Sequence, residues 1–339
     1  MLTKIKLTNF TVFKSMTMDF SPGINLFIGE NGTGKTHIMK VLYSVCCMVN
    51  EAETRTLAQK ILAVFQPLSI GRLVHRSKGR GSGEFIVYRK DENENTEKSV
   101  DFHVTTLNKT EERYKKWKSP YGLESVFIPV KDMLANAPGF RSLYNAKNIA
   151  FEEVYADIID KAFQPLPKGQ DKKESRQLKS ILDRSMSGKV ITKNETFYLK
   201  NKNGELEFSL LAEGFRKLGL LYTLISNETL TKGSILFWDE PESNLNPKLS
   251  ETVVRILLAL QEMGVQIFVS THDMTLLKNF ELYSKPQNNI LYHSLIRDEE
   301  CGVKVNSSPT IHTLDNAIYQ AVDQMAEAEI SMQLKNFKL

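Results

Sequence analysis

Eight residues decide how this chain folds, and they read Gly29-Glu30-Asn31-Gly32-Thr33-Gly34-Lys35-Thr36. They satisfy the pattern GxxxxGK[ST] at every defined position, between an apolar run fit for a buried strand, 24–28, and a helical sequence, 34–49. Glycines let a backbone wrap around phosphate groups, while successive N–H groups and the helix N-terminus face the negative charge. The stretch therefore predicts a loop that binds a nucleoside triphosphate, in which Lys35 reaches the β- and γ-phosphates and Thr36 ligates Mg²⁺.

A second pattern places two carboxylates at the end of an apolar strand. Residues 234–241 read Ser-Ile-Leu-Phe-Trp-Asp-Glu-Pro, the form of a Walker B motif. We expect Asp239 to hold Mg²⁺ through a water ligand and Glu240 to polarise the attacking water as a general base. By itself such a pair of carboxylates fits an ordinary turn equally well. Together with the phosphate loop, it predicts ATP hydrolysis.

A third pattern places a histidine at the end of another apolar strand. Residues 266–271 are followed by His272 and Asp273. Open α/β sheets bind ligands at the carboxyl ends of their strands, so we interpret His272 as a sensor of the γ-phosphate and Asp273 as a helix cap.

The order of the predicted elements indicates an α/β protein. Strands that alternate with helices imply a parallel sheet. The alternating residues 2–20, with the strand-like stretches 84–88 and 99–104, add an antiparallel β layer, and an inserted, mainly helical lobe follows. We divide the chain into four parts: the phosphate-loop half (1–131), the lobe (132–209), the C-terminal half (210–300), and a terminal hairpin and helix (301–339).

The composition is that of a soluble globular protein, with 41% hydrophobic and 25% charged residues. No run approaches the roughly 18 apolar residues of a membrane helix, and the first ten residues lack a signal peptide's apolar core, so we expect a cytoplasmic protein without membrane contact. Cys46, Cys47 and Cys301 form no CxxC pair and indicate neither a disulfide framework nor a zinc site. Because the net charge is only +4, the basic stretches 72–80 and 115–118 are interpreted as solvated loops.

Further motifs carry a resemblance to a known family. Leu-Ala-Glu-Gly-Phe at 211–215 opens a helix before the Walker B strand, and Ser-Asn-Leu-Asn-Pro follows that strand at 243–247. With the phosphate loop and Ser-Thr-His-Asp at 270–273, in this order, the chain resembles a P-loop NTPase with an ABC-type ATPase head. Asn-Phe-Thr-Val-Phe-Lys-Ser at 9–15 resembles the RecF, SMC and OLD (overcoming-lysogenization-defect) ATPases more than transporter subunits. The chain also looks like the AAA-family standalone ATPases of bacterial phage-defence operons.

The resemblance implies that ATP joins two copies of the chain. In this family two heads sandwich two ATP molecules, and the signature helix of one head closes the phosphate loop of the other. We therefore expect a homodimer or a higher homo-oligomer. The partner-subunit ATP contacts implied by the resemblance are Ala212, Glu213, Gly214 and Asn244. On the same basis, Phe13 or Lys14 is expected near the adenine.

Two positions depart from the family pattern. Ala212 stands where the family usually has a serine whose hydroxyl touches the partner's γ-phosphate. The missing charge-assisted hydrogen bond, worth roughly 1.5–3 kcal/mol, predicts slow turnover or conditional dimerisation. The glutamine that normally senses Mg²⁺ between the lobes is not assigned, because Gln66 comes early and residues 129–132 lie where a lobe junction would be.

The resemblance implies a sensor or regulator subunit of a phage-defence system that acts with a separate effector chain, a nuclease or a toxin. The lobe is too short for long coiled-coil arms, and the 67 residues after His272 are too few for a fused nuclease domain. Two alternatives stay open: a DNA repair or recombination ATPase of RecF type, with DNA as a partner, and a nucleotide-gated scaffold with incidental hydrolysis. A transporter subunit is disfavoured by the missing serine, the unlocated glutamine and the N-terminal hairpin.

Overall fold

The computed structural model describes residues 1–48, 54–76, 78–90, 97–114, 124–146, 149–169, 172–300 and 302–336. The strands in these ranges are β1 (Leu2–Phe10), β2 (Phe13–Asp19), β3 (Ile24–Ile28), β4 (Ser82–Lys90), β5 (Glu97–Thr105), β6 (Thr110–Arg113), β7 (Ser125–Ile128), β8 (Lys189–Lys193), β9 (Thr196–Asn201), β10 (Gly204–Glu207), β11 (Ile235–Asp239), β12 (Gln266–Thr271), β13 (Ile290–Asp298) and β14 (Gly302–Ser308). The α-helices there are α1 (Lys35–Met48), α2 (Leu57–Phe65), α3 (Ala137–Asn145), α4 (Glu153–Ala162), α5 (Lys173–Met186), α6 (Glu213–Ser226), α7 (Pro247–Glu262), α8 (Met274–Tyr283) and α9 (Ala317–Asn336). The basic stretch 115–118 and Cys301 lie outside the described residues.

The central sheet positions the site. Its strand order is β14-β13-β3-β12-β11-β7, and all neighbouring strands are parallel except the β13–β14 pair. The four strands from β3 to β7 are fully buried, as expected for a sheet covered on both faces. On one face Phe27, Phe268, Phe237 and Phe127 stack in a ladder, with successive centroids 6.1, 5.1 and 6.3 Å apart. The parallel register brings the carboxyl ends of the four strands to one edge, and this phenylalanine ladder packs one face of the sheet.

An antiparallel sheet of order β2-β1-β4-β5-β6 forms the predicted N-terminal layer. Its apolar side chains share one core with α1 and with the phenylalanine ladder. Gln266 of β12 joins the two sheets, because its amide donates to Leu2 O at 2.8 Å and accepts from Leu2 N at 2.8 Å. The phosphate loop and α1 therefore emerge between two sheets that are bonded directly to each other.

The other face of the central sheet shares one buried core with α6, α7 and α8 and with the lobe. Helices α3, α4 and α5 and the antiparallel sheet β10-β9-β8 make up the lobe. Ile159, Leu182 and Phe197 of the lobe belong to the same buried cluster as Trp238 of β11. The lobe and the sheet thus share a continuous core, in which Trp238 is fully buried.

The structure departs from the sequence analysis at three elements. Strands β6 and β7 are not predicted, because four residues each are too few to show a period. Over 314–330 the sequence places apolar residues at helical spacing, which predicts a terminal helix that packs this apolar stripe on its own domain. The helix spans Ala317–Asn336, and although Ile318 packs on the core, Met325 is 67% exposed. The expected packing is wrong beyond the first turns. Within the described ranges, every helix is too short or too polar to cross a membrane.

A buried ionic cluster joins the N-terminal half to the lobe. Lys60 of α2 is 2% exposed, and its Nζ lies 2.8 Å from Asp157 Oδ2 and 3.3 Å from Glu153 Oε2, both on α4. Tyr43 of α1 donates to Asp157 Oδ2 at 2.7 Å. Removing one partner of such a group leaves a buried charge without compensation.

We therefore expect Asp157→Ala to lower the free energy of unfolding by about 3 kcal/mol, because Lys60 and Tyr43 lose a shared acceptor. The control is Asp19→Ala, which breaks the solvent-exposed Lys4–Asp19 pair (2.9 Å) and should lower the free energy of unfolding far less. Urea denaturation measures both. Equal losses of unfolding free energy in the two variants would show that burial does not strengthen the Asp157 cluster.

A buried histidine supports the pairing of β13 with β3. His293 Nδ1 lies 2.7 Å from Ser307 Oγ and its Nε2 lies 3.3 Å from Asn25 Oδ1. Asn25 donates through Nδ2 to Ser21 O, so its Oδ1 accepts, which assigns the proton of neutral His293 to Nε2. Burial lowers the pKa of His293 to about 3, and burial followed by the charge of Lys40 lowers that of His37 to about 4.

These depressed pKa values predict acid lability. Because an unfolded histidine titrates near pH 6.5, the unfolded chain binds more protons than the folded chain below that pH. The free energy of unfolding should fall as the pH is lowered from about 6.5 toward 4, and His293→Gln should reduce the slope by up to about 1.4 kcal/mol per pH unit. Denaturation at several pH values measures this slope, and an unchanged slope in the variant would contradict the assignment.

Candidate nucleotide-binding site

Three neighbouring parallel strands end at one edge of the central sheet. Strand β3 leads into the phosphate loop, β11 ends at Asp239, and β12 ends at Thr271 beside His272. The sheet order places β12 between the other two. Residues of three separated motifs therefore meet at this edge, as the sequence predicted.

The phosphate loop has the geometry that its glycines permit. Gly32 and Gly34 have φ values of 81° and 91°, which side chains other than glycine rarely adopt. A Cβ at Gly34 would lie 2.6 Å from Phe13 Cζ. Lys35 donates from Nζ to Gly29 O at 2.5 Å and Glu30 O at 2.9 Å, and burial lowers its pKa.

The residues expected to hold Mg²⁺ are in contact. Thr36 donates from Oγ1 to Asp239 Oδ1 and Oδ2 at 3.0 and 2.9 Å, and Ser270 Oγ donates to Asp239 Oδ1. Asp239 is 4% exposed, and burial raises its pKa. A hydroxyl and a buried carboxylate beside a phosphate loop are oxygen ligands suited to a hard divalent cation, so the residues present fit Mg²⁺.

The two residues expected to act in hydrolysis also meet. His272 Nδ1 lies 3.1 Å from Glu240 Oε1, and both side chains are partly exposed. Glu240 has a φ of 46°, in the left-handed region, and its N–H donates to Ser270 O at 3.2 Å. Strained backbone of this kind concentrates at functional sites, where surrounding bonds hold it.

Sequence reasoning missed a third carboxylate, Glu242. Thr271 donates from Oγ1 to Glu242 Oε1 at 2.6 Å, and the His272 N–H donates to the same oxygen at 3.2 Å. Burial raises the pKa of Glu242. The side chain thus joins the turn after β11 to the turn after β12. Its only sequence signal was its place two residues after Glu240.

The residues expected to contact a partner's ATP form one surface at the start of α6. Asn244 donates from Nδ2 to Glu213 Oε2 at 2.8 Å. Ala212 is the N-cap of α6 and supplies no side-chain cap. Gly214 lies against Leu245, since a Cβ there would be 3.0 Å from Leu245 Cδ2. Segments 212–214 and 244–245 are therefore adjacent on one surface, and their contact with a partner's ATP stays a prediction.

A buried lysine connects this surface to the Walker B turn. Lys217 of α6 is 2% exposed, and its Nζ donates to Ser243 O at 2.6 Å and lies 3.5 Å from Glu240 O. Burial lowers the pKa of Lys217, against the opposing effect of neighbouring carboxylates led by Glu213. Sequence reasoning passed over this residue as one charge in a helix.

The segment left without a role, 129–132, leaves the same sheet edge. Strand β7 pairs in parallel with β11, so the residues after it lie beside those after Asp239. Asp132 Oδ2 lies 3.6 Å from Arg216 Nε of α6. Gln66 ends α2 and donates to Phe151 O. Residues 129–132 thus connect this edge of the sheet to α6, through Asp132 and Arg216.

A cavity of about 410 Å³ adjoins the phosphate loop. Its lining includes Gly32, His37, Arg72, His75, Arg76 and Arg297. The stretch 72–80, interpreted as a solvated loop, thus contributes exposed side chains to this cavity. Phe13 is fully buried under Gly34 and has no free ring face. Lys14 is exposed and donates to Glu300 O, near the rim. Of the two adenine expectations, only Lys14 stays a prediction.

Two family models match the chain. Residues 90–278 match the model described as "AAA domain, putative AbiEii toxin, Type IV TA system", and residues 1–63 match the model described as "AAA ATPase domain". The first match covers more than half of the chain and contains Asp239, Glu240 and His272. The second contains the phosphate loop.

Short segments resemble curated proteins. The DNA replication and repair protein RecF of Streptococcus suis is 37% identical over 81 residues, which are 23% of this chain and 21% of that protein. RecF of Lysinibacillus sphaericus is 48% identical over 42 residues, 12% of this chain and 11% of that protein. The matches thus span about a fifth or less of the length of these relatives.

Solved structures share the fold over most of the chain. An SMC head bound to the C-winged helix domain of ScpA superposes with a TM-score of 0.60 at 16% identity, covering 92% of this chain and 98% of that chain. An Smc head with an extended coiled coil, bound to a ScpA domain derived from Pyrococcus furiosus, gives 0.56 at 12% identity, covering 97% and 99%. The predicted P-loop fold of an ABC-type ATPase head is confirmed.

Proposed function

Because the chain belongs to the AAA-domain family whose model matches residues 90–278, we propose that it is an ATPase that hydrolyses ATP to ADP and phosphate. The observation that carries the proposal is the meeting of four motif residues at one sheet edge: Thr36 contacts Asp239, and His272 contacts Glu240. ATP is the substrate.

Binding begins at the phosphate loop. The backbone N–H groups around Gly32 and Gly34 and the start of α1 face the triphosphate. Lys35 exchanges its carbonyl partners, Gly29 O and Glu30 O, for oxygens of the β- and γ-phosphates. Thr36 and Asp239 would hold Mg²⁺, which would neutralise part of the phosphate charge.

Hydrolysis needs a base in line with the γ-phosphate. Glu240 accepts a proton from the attacking water. The water oxygen bonds to the γ-phosphorus, and the bond between the γ-phosphorus and the bridging oxygen breaks, which releases ADP. His272 orients Glu240 through their 3.1 Å contact and faces the γ-phosphate oxygens. Glu242 holds the backbone of His272 and so maintains this alignment.

Closure of two heads completes the site in this proposal. The N-terminus of α6, with its exposed neighbour Leu210 at 69% exposure, provides a positive helix end and an apolar contact for a second copy. The paired Glu213 and Asn244 lie on the same surface. ATP therefore acts as a bridge between two copies as well as a substrate.

Its biological role in this proposal is that of a sensor or regulator subunit of a phage-defence system, acting with a separate nuclease or toxin chain. Support comes from the family description, which names a toxin–antitoxin system. A RecF-type repair ATPase with DNA as a partner is the second candidate, supported by the RecF-like segments. A scaffold with incidental hydrolysis is the third.

Glu240→Gln should lower turnover by about 10²- to 10⁴-fold, because the amide keeps the side-chain shape but accepts no proton. The variant should also accumulate as an ATP-bound dimer. Phosphate release and light scattering with ATP and Mg²⁺ measure the two effects. Glu251→Gln, at a partly exposed position of α7 where Glu251 pairs with Arg255, is the control and should turn over ATP as the wild type does.

Unchanged turnover in Glu240→Gln would overturn the assigned base. Duplex DNA added to the same assay separates the candidate roles. Stimulation by DNA favours the RecF-type ATPase, whereas assembly that persists with negligible wild-type turnover favours the scaffold.

Ala212→Ser should tighten ATP-dependent dimerisation by about 10- to 100-fold, because the hydroxyl restores a charge-assisted hydrogen bond to the partner's γ-phosphate. Sedimentation across a range of protein concentrations, with ATP in the Glu240→Gln background, measures the dimer dissociation constant. The same constant with and without the hydroxyl would show that position 212 does not face the partner's nucleotide.

A further inference from the structure

Arg297 of β13 lies on the outer side of the phosphate loop. Its Nη2 donates to Asn31 O at 2.9 Å, and a Cβ at Gly32 would lie 2.7 Å from the same nitrogen. The guanidinium thus rests directly over the Cα of Gly32. Glycine at this position therefore makes room for Arg297 as well as for the turn of the loop.

The strand that carries Arg297 is held in place from two sides. His293, four residues earlier, bonds to Asn25 of β3, the strand that enters the phosphate loop. At the far end of the hairpin, Lys14 of β2 donates to Glu300 O, and a Cβ at Gly302 would lie 2.7 Å from Val12 O. The position of the guanidinium is therefore set by paired strands.

Arg297 also lines the cavity of about 410 Å³ beside the loop. The loop wraps the phosphates of a nucleotide, so the sugar and base must lie outside it. Both Gly32 and His37, on the two sides of the loop, line this cavity, which makes it the space into which the nucleoside extends. Arg297 lies at the boundary between the phosphate loop and this cavity.

The charge of the cavity suits an anionic ligand. Arg72, His75 and Arg76 face the same space, and none of the described lining residues carries a carboxylate. An arginine recognises phosphate through several N–H groups in a planar fork, and such charge-assisted bonds are stronger than neutral ones.

We propose that Arg297 is a nucleotide-binding residue that contacts the α-phosphate of the bound nucleoside triphosphate. The inference rests on the proposed ATPase function. On binding, the guanidinium keeps or exchanges its bond to Asn31 O and donates its remaining N–H groups to the α-phosphate oxygens. The C-terminal hairpin thereby becomes the outer wall of the nucleotide site.

The test compares Arg297→Gln and Arg297→Lys with the wild type by titration calorimetry with ATP and with ADP. Arg297→Gln should weaken binding of both nucleotides by about tenfold or more, since both carry the α-phosphate. Arg297→Lys, which keeps the charge but loses the fork, should lose less. The matched control is Lys304→Gln, an exposed cation on β14 outside the cavity lining, which should bind as the wild type.

Thermal unfolding without nucleotide separates binding from loop support. The proposal expects Arg297→Gln to unfold as the wild type does and to show a smaller stabilisation by ATP. A lowered melting temperature with unchanged nucleotide affinity would overturn it, because Arg297 would then only brace Asn31. A loss confined to ATP would overturn the α-phosphate assignment. If the wild type binds no ATP, the proposed function fails and this inference with it.

Discussion

The site depends on the parallel register of four fully buried strands. Strands β3, β12, β11 and β7 bury one face in the core shared with α6, α7, α8 and the lobe and stack the phenylalanine ladder on the other. A slip of one residue would therefore exchange the two faces of a strand. An error in register would therefore expose apolar side chains to water, at a large cost in free energy. Because the functional side chains follow these strands within a residue or two, the same register aligns the phosphate loop, Asp239 and His272.

The turn that follows β11 links the two halves of the proposed composite site. Lys217 binds its carbonyl groups from the side of α6, and Glu242 binds Thr271 and the His272 N–H from the side of β12. Glu240 lies between these contacts with a strained φ of 46°. A displacement of α6 by a docking partner would therefore reach Glu240 and His272 through hydrogen bonds within one turn.

Residues with a strong local signal were found in the sequence, and residues that act through distant contacts were not. Thr36, Asp239 and His272 each follow an apolar strand, and parallel strands bring such ends together. Lys217 follows Arg216 near the start of α6, with nothing in its local sequence to distinguish the two cations, and its partner Ser243 is 26 residues away. Arg297 is 266 residues from Asn31, and the sequence around Arg297 shows only a charged residue near a hairpin. The strand β7 escaped notice because four residues carry no readable period.

The sequence by itself determined the α/β class, the phosphate loop, the carboxylate pair and the order of the motifs, because backbone geometry and apolar periodicity are encoded locally. The likeness to ABC-type heads followed from the same motifs. Only the tertiary structure decided which cations face the cavity beside the loop, how Glu242 and Lys217 fasten the Walker B turn, and where the apolar stripe of the terminal helix loses its cover. Those features arise from contacts between segments far apart in the chain, whose positions are set by the packing of sheets and helices as a whole.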